Sequence, residues 1–167
     1  MKHTSVYQLK DFLDRFLEIE LPVTISQDTI NDISKVSKPL PPEMVGEYLI
    51  PFEEGQVNDE YTEFVACFQL PVQQNFRALV YWRADLLQYH YVLVTLEKKT
   101  GKLIDRRVIA GTTYVEGELT QSSAAIREEL TIYVVSGQGS VEEYDYKASG
   151  STASRLQISK EGKIMEL

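Results

Sequence analysis

Proline usage constrains this chain more than any other feature of its sequence. All six prolines lie at or before Pro71, and residues 72–167 contain none. Seven of the nine glycines lie at or after Gly101. Proline cannot donate to a β-ladder and is kept out of sheet interiors, whereas glycine marks tight turns between strands. The asymmetry predicts a helical part over residues 1–60 and an antiparallel β part over residues 61–167. No Ser/Gly-rich linker separates the two, and 167 residues suit one domain. The expected fold class is therefore α+β: short N-terminal helices packed on a long antiparallel β-meander, forming a curved sheet or a partial barrel. A chain of this length buries roughly 70% of its unfolded surface and needs no disulfide or metal to hold it.

In the first part, Val6, Leu9, Phe12, Leu13, Phe16 and Leu17 recur at helical spacing. Thr4 or Ser5 suits the N-cap. Pro22 forbids continuation of that helix and disfavours helix at Leu21. Asp28 is placed to cap a short helical turn through Ile30 and Ile33. The run Lys38-Pro39-Leu40-Pro41-Pro42 must be extended. Pro42 then opens a helix carrying Met44, Val45, Tyr48 and Leu49, which Pro51 ends. Residues 53–60 read as a polar, acidic loop.

The second part alternates with period two. Strands are expected at 62–70, 75–84, 88–97, 103–110, 129–136, 141–148, 153–159 and 163–166. Thr100-Gly101, Glu161-Gly162 and the segment around Gly150 read as turns. Gly117 suits another turn, and Ala124-Ala125-Ile126-Arg127 suits a helix. The turn glycines recur at no fixed period, which argues against a propeller or solenoid.

The hairpin of 75–84 with 88–97 has the clearest pattern. Placing Trp82 opposite His90 sets Val80 against Val92, Ala78 against Val94 and Phe76 against Leu96. The other face then pairs Arg83 with Tyr89, Tyr81 with Tyr91, Leu79 with Leu93 and Arg77 with Thr95. One face is dry, with Trp82 buried, and the other is aromatic and cationic, so the sheet is expected to be unequally buried on its two sides.

The net charge of −8 is unevenly placed. Residues 1–60 hold 12 acidic and 5 basic side chains, and residues 61–167 hold 13 and 12. An acidic protein repels a phosphate backbone, so nucleic acid is not an expected partner. The acidity reads as solubility or, more sharply, as a surface for a basic partner. The N-terminal stretch MKHTSVYQLKDFLDRFLEIE has no apolar core of a signal peptide, and no apolar run reaches the roughly 20 residues that span a bilayer. The lone Cys67 permits a reducing compartment. A cytoplasmic location without membrane association is the expectation, a trimmed precursor being the alternative.

Residues that carry chemistry are sparse. The two histidines are His3, beside the terminus, and His90, read as a core or rim residue opposite Trp82. Cys67 alternates with Phe64, Ala66 and Phe68 and has no neighbouring base or cation in sequence, which makes it structural. No zinc-ligand spacing occurs, and neither a metal nor a cofactor is expected. Glu53-Glu54, Asp59-Glu60, Glu128-Glu129 and Glu142-Glu143 are adjacent residues, which on a strand point to opposite faces. Convergence of carboxylates from distant strands is not readable in sequence. Ser136-Gly137-Gln138-Gly139-Ser140 lacks the third glycine, the helix and the Lys-Ser/Thr of phosphate loops, and reads as a hairpin loop. No catalytic residue is assigned.

One patch rises above this background. Arg77, Tyr81, Arg83, Tyr89 and Tyr91 share a face on the register given above and are the candidate ligand-binding residues. Guanidinium groups recognise carboxylates and phosphates, and tyrosines supply rigid amphipathic contact area. The competing account covers this face with the N-terminal helices and pairs its arginines with carboxylates of the acidic first part.

The segments Tyr91-Val92-Leu93-Val94-Thr95, Lys99-Thr100-Gly101-Lys102-Leu103-Ile104-Asp105, Glu143-Tyr144-Asp145-Tyr146 and Ile158-Ser159-Lys160-Glu161-Gly162-Lys163-Ile164, with Leu17 to Ile25, resemble uncharacterised bacterial α+β proteins of unknown function. That resemblance implies a fold class and carries no activity. Two functional expectations follow from the residues. The first is a non-enzymatic interaction protein that meets a protein partner, a basic one in its sharper form, through the acidic first part. The second is a small-ligand binder or enzyme using the Arg/Tyr face as a pocket floor.

Overall fold

A computed structural model describes residues 7–53, 61–140 and 151–167. The expected strand at 141–148, the turn around Gly150 and most of the loop at 53–60 lie outside these residues. The α+β class holds: a ten-stranded sheet carries a few short helices, and the sheet is not closed. Among the described residues, no helix is long and apolar enough to cross a membrane.

The chain opens with α1 (Leu9–Leu13), far shorter than its apolar spacing suggests. Its N-cap is Gln8, whose backbone N–H donates to Asp11 Oδ2 at 2.8 Å. Leu17 and Glu18 leave the helix to form β1 (Leu17–Glu18), and β2 (Val23–Ile25) follows the cis Leu21–Pro22 bond. Helix α2 (Thr29–Val36) starts after Asp28. Helix α3 (Pro42–Met44) has proline in its first turn and widens into a π-turn at Val45–Leu49, then tightens into a 3₁₀ turn at Ile50–Phe52. Pro51 therefore does not end the segment but sits at the start of the 3₁₀ turn that closes it, a position where a missing N–H is tolerated.

The sheet proper runs β3 (Glu63–Gln69), β4 (Phe76–Ala84), β5 (Gln88–Glu97), β6 (Leu103–Val115), β7 (Glu118–Ile126), β8 (Thr131–Ser140), β9 (Thr152–Ile158) and β10 (Ile164–Glu166). Consecutive strands pair antiparallel from β3 to β10. The expected meander is mixed at one edge, because β1 pairs parallel with β3. Strand β2 pairs with the end of β7, so residues 124–126 form sheet where a helix was expected. Gly117 and Glu116 both have positive φ, as a two-residue hairpin between β6 and β7 requires. The segment 136–140 continues β8 and is not a hairpin loop.

Three bulges shape the sheet. Cys67, Ile104 and Ile109 each stand unpaired where the register shifts by one. All three side chains pack in or against the same core, with Phe68, Phe76, Val80, Leu93, Ile126, Ile132 and Leu156. A bulge bends its strand and increases twist. Here each bulge also adds an apolar residue to that bulge-lined core. A second core lies on the other side of β4 and β5. It joins Phe12, Phe16, Met44, Leu49 and Phe52 to Leu79, Tyr81, Val92, Val94 and Leu96. Phe12 stacks on Tyr48 with ring centroids 4.9 Å apart. The central strands are thus buried on both faces, against the expectation of one dry and one wetter face.

Candidate functional site

The hairpin of β4 and β5 differs by one residue from the register read in the sequence. Trp82 pairs with Tyr91, Arg83 with His90, Tyr81 with Val92 and Arg77 with Leu96. The cause is the turn. The Asp85 N–H donates to the Gln88 carbonyl at 2.8 Å, leaving a two-residue tip of Leu86 and Leu87, where the earlier pairing needed three residues. The Asp85 carboxylate organises this tip in place of glycine. It accepts from Thr62 Oγ1 at 2.8 Å, Arg83 Nη1 at 2.6 Å and Gln88 Nε2 at 3.5 Å. Burial works against that carboxylate, but the Thr62 hydroxyl, the Arg83 charge and the Gln88 amide outweigh it and hold its pKa below the usual value.

The one-residue shift divides the Arg/Tyr set. Arg77, Tyr81 and Arg83 lie on the helix-covered face with Val92, Val94 and Leu96. Tyr89 and Tyr91 lie on the opposite face with Trp82. Tyr89 packs 6.0 Å from the Trp82 ring and 6.4 Å from that of Tyr91. Trp82 is only half-buried, at the rim of the bulge-lined core. Tyr91 is fully buried, and burial, with Cys67 beside it, pushes its pKa up. Arg77 stands apart at the far end of β4, donating to the Lys98 carbonyl at 3.4 Å and to Gln69 Oε1 at 3.5 Å.

Tyr81 and Arg83 meet a partner from the acidic first part. Glu53 is 2% exposed and follows the turn that buries Phe52. Its Oε1 accepts from the Tyr81 hydroxyl at 2.7 Å, and its Oε2 accepts from Arg106 Nη2 at 2.9 Å. Arg83 Nε lies 3.5 Å from the same Oε2. Burial, and then the adjacent Glu53 charge, push the Tyr81 pKa up and keep the phenol a donor. Two guanidinium groups and two carboxylates (Arg83, Arg106, Glu53 and Asp85) balance to zero. This is the carboxylate-covered arrangement that competed with the ligand-site idea. The sequence reads Glu53 as part of a loop and points to no role for Arg106. The one sequence signal for Glu53 is the adjacent Phe52, which is buried while Ile50 and Pro51 are exposed.

His90 lies opposite Arg83, not Trp82, and takes a rim position, one of its two expected settings. It is half-buried, and Nε2 lies 3.0 Å from Thr113 Oγ1. Burial, then the charges of Arg83 and Arg106, lower its pKa, so it is neutral at physiological pH. It borders a cavity of about 210 Å³ with Gly111, Thr113, Thr120, Ser122 and Ser136. Cys67 is buried, and burial raises its thiol to about 12, which suits packing and not nucleophilic attack.

A separate groove of about 500 Å³ opens at the end of the sheet where three connections converge. Leu21, Val72 and Leu130 line its floor, and Glu20, Glu128 and Glu129 stand exposed at its rim. Glu20 comes from the acidic first part, while Glu128 and Glu129 come from the turn between β7 and β8. No lysine or arginine lines it among the described residues.

No protein-family model matches this chain, and no curated protein or solved structure is significantly similar to it.

Proposed function

We propose that this chain is a non-catalytic binding protein that takes a basic, partly apolar segment of a protein partner into the groove between Glu20, Val72 and Glu129. One observation carries the reading: three exposed carboxylates surround an apolar floor in a groove of about 500 Å³. Lysine and arginine lay their aliphatic stems on apolar surface while their charged heads stay in water beside carboxylates. The groove has both parts. The wider surface agrees in sign, since Asp11, Asp14, Glu18, Asp28, Asp32, Glu43 and Glu47 are all exposed. The buried ionisable groups, by contrast, are engaged with one another around Glu53.

The test is calorimetric titration with a synthetic peptide of alternating leucine and arginine, against the native chain and Glu20→Lys/Glu128→Lys/Glu129→Lys. The native chain binds, and its binding weakens as salt rises. Exposed pairs contribute about 0–1 kcal/mol each, so the triple reversal weakens binding by about tenfold or more while the melting temperature stays within a few degrees. Equal binding by both proteins removes the groove from the proposal.

A further inference from the structure

The cavity beside His90 has a composition that the acidic groove does not share. Two cross-strand rows build it. One runs Arg83, His90, Gly111, Ser122, Ser136 across β4 to β8, and the other runs Gln88, Thr113, Thr120 across β5 to β7. At the centre of the first row stands Gly111. A Cβ there would collide with the Tyr89 carbonyl and lie 2.9 Å from His90 Cα. The row therefore dips to bare backbone where every neighbour carries a polar side chain.

The walls are hydrogen-bonding and uncharged. His90 shares a hydrogen bond with Thr113, and the Ser122 and Ser136 hydroxyls lie 2.7 Å apart. Each of these hydroxyls both donates and accepts. Val108, 40% exposed, and Val134 add apolar contact at the edge. The nearest charges, Arg83 and Arg106, are already paired with Glu53 and Asp85. A charged ligand would lose its hydration here without gaining a counter-charge. A sugar ring presents what this cavity complements: hydroxyls around its edge, apolar C–H faces and no net charge.

We infer that the cleft bounded by His90, Gly111, Thr113, Thr120, Ser122 and Ser136 binds a small, neutral, polyhydroxylated ligand of the monosaccharide class. His90 contacts a ligand hydroxyl through the imidazole. Ser122 and Ser136 exchange their mutual hydrogen bond for bonds to the ligand, and Val108 meets its apolar face. This site is distinct from the acidic groove and does not depend on it.

Histidine-selective ¹⁵N labelling of the full chain tests the assignment, with glucose, galactose, mannose and N-acetylglucosamine as probes. At least one probe shifts the His90 ring resonances saturably and leaves His3 unmoved. Thr120→Val, which keeps side-chain shape, and Ser122→Ala each weaken that probe by about tenfold, the cost of leaving a ligand hydroxyl without its partner. Melting curves identify any variant that has lost its fold, and the other then decides. Three results overturn the inference: no saturable shift at His90 with any of the four sugars, shifts unchanged in a folded Thr120→Val or Ser122→Ala protein, or tighter binding of glucuronate or glucosamine than of the neutral sugars.

Discussion

The two faces of β4 and β5 are both buried, yet they are held by different physics. Toward α1 and α3, Arg77, Leu79, Tyr81 and Arg83 pair with Leu96, Val94, Val92 and His90, and an ion network centred on Glu53 lies among them. Toward the bulge-lined core, Ala78, Val80 and Trp82 pair with Thr95, Leu93 and Tyr91, and contact is mainly hydrocarbon and aromatic, with the buried Thr95 hydroxyl donating to the Gly162 carbonyl. The first face cannot close without a residue from the far end of the helical segment. The second closes with residues of the sheet, three bulged ones included, together with Ile30 and Ile33 of α2. A buried arginine makes a surface conditional on its partner, whereas a buried leucine accepts any neighbour of suitable shape.

Removing Glu53 breaks the comparison most directly. Glu53→Ala leaves Arg83 and Arg106 without their shared carboxylate, and a broken buried pair costs about 3–5 kcal/mol. Urea unfolding measures the loss. Replacing Arg83 and Arg106 by methionine in the same protein recovers part of it, because the stranded charges are then gone. A loss under about 1 kcal/mol would show that water reaches the network and that the two faces are alike.

A smaller change sharpens the contrast within one strand. Tyr81→Phe deletes a hydroxyl that donates to a buried carboxylate, and a hydrogen bond to a charged group contributes about 1.5–3 kcal/mol. Arg77→Gln, four residues earlier on the same face, alters two long contacts at the strand end and stays within about 0.5 kcal/mol. Both come from chemical unfolding midpoints at constant m-value. Equal effects would mean that the network does not extend to Tyr81.

The sequence made the strands legible and left their register obscure. Strands β4 and β5 fall within a residue of their expected bounds, because long runs of alternating and β-branched residues have few other solutions. Register depends on turn length, and the tip Leu86-Leu87 carries no glycine to announce a two-residue turn. The side chain of Asp85 does that work through Thr62, which is distant in sequence. Bulges were equally hidden: Cys67 beside Phe68 reads as alternation, yet both pack in one core. The candidate site suffered most, since a shift of one residue moves every side chain to the other face. Tyr89 and Tyr91 face the bulge-lined core, and Tyr81 and Arg83 face α1 and α3. Glu53 and Asp85 were invisible as partners because ion pairs form across distances that no local pattern records. The acidic first part was legible as charge, and its exposed carboxylates follow from it.

The smallest effect tests the boundary between the covered face and the open cleft. His90 sits at that boundary, with Arg83 on one side and Thr113 on the other. The charged groups that act on it are Arg83, Arg106, Asp85 and Glu53, and burial with the two arginines outweighs the two carboxylates. Its folded pKa is therefore below the unfolded value of 6.5. Between those two values the unfolded chain binds more protons than the folded one, so stability rises with pH in that window. The contribution is complete above the unfolded pKa. It begins to be lost as pH falls through 6.5, and the loss is finished once pH passes below the folded pKa. His90→Gln keeps a hydrogen-bonding side chain and removes the titration, so the acid side of its stability curve is flatter than that of the native chain. Histidine ring shifts followed by NMR give the folded pKa directly. A value at or above 6.5 would mean that the paired carboxylates, and not burial with the arginines, govern the edge of the cleft. The ion network would then reach across the boundary that now separates the two surfaces.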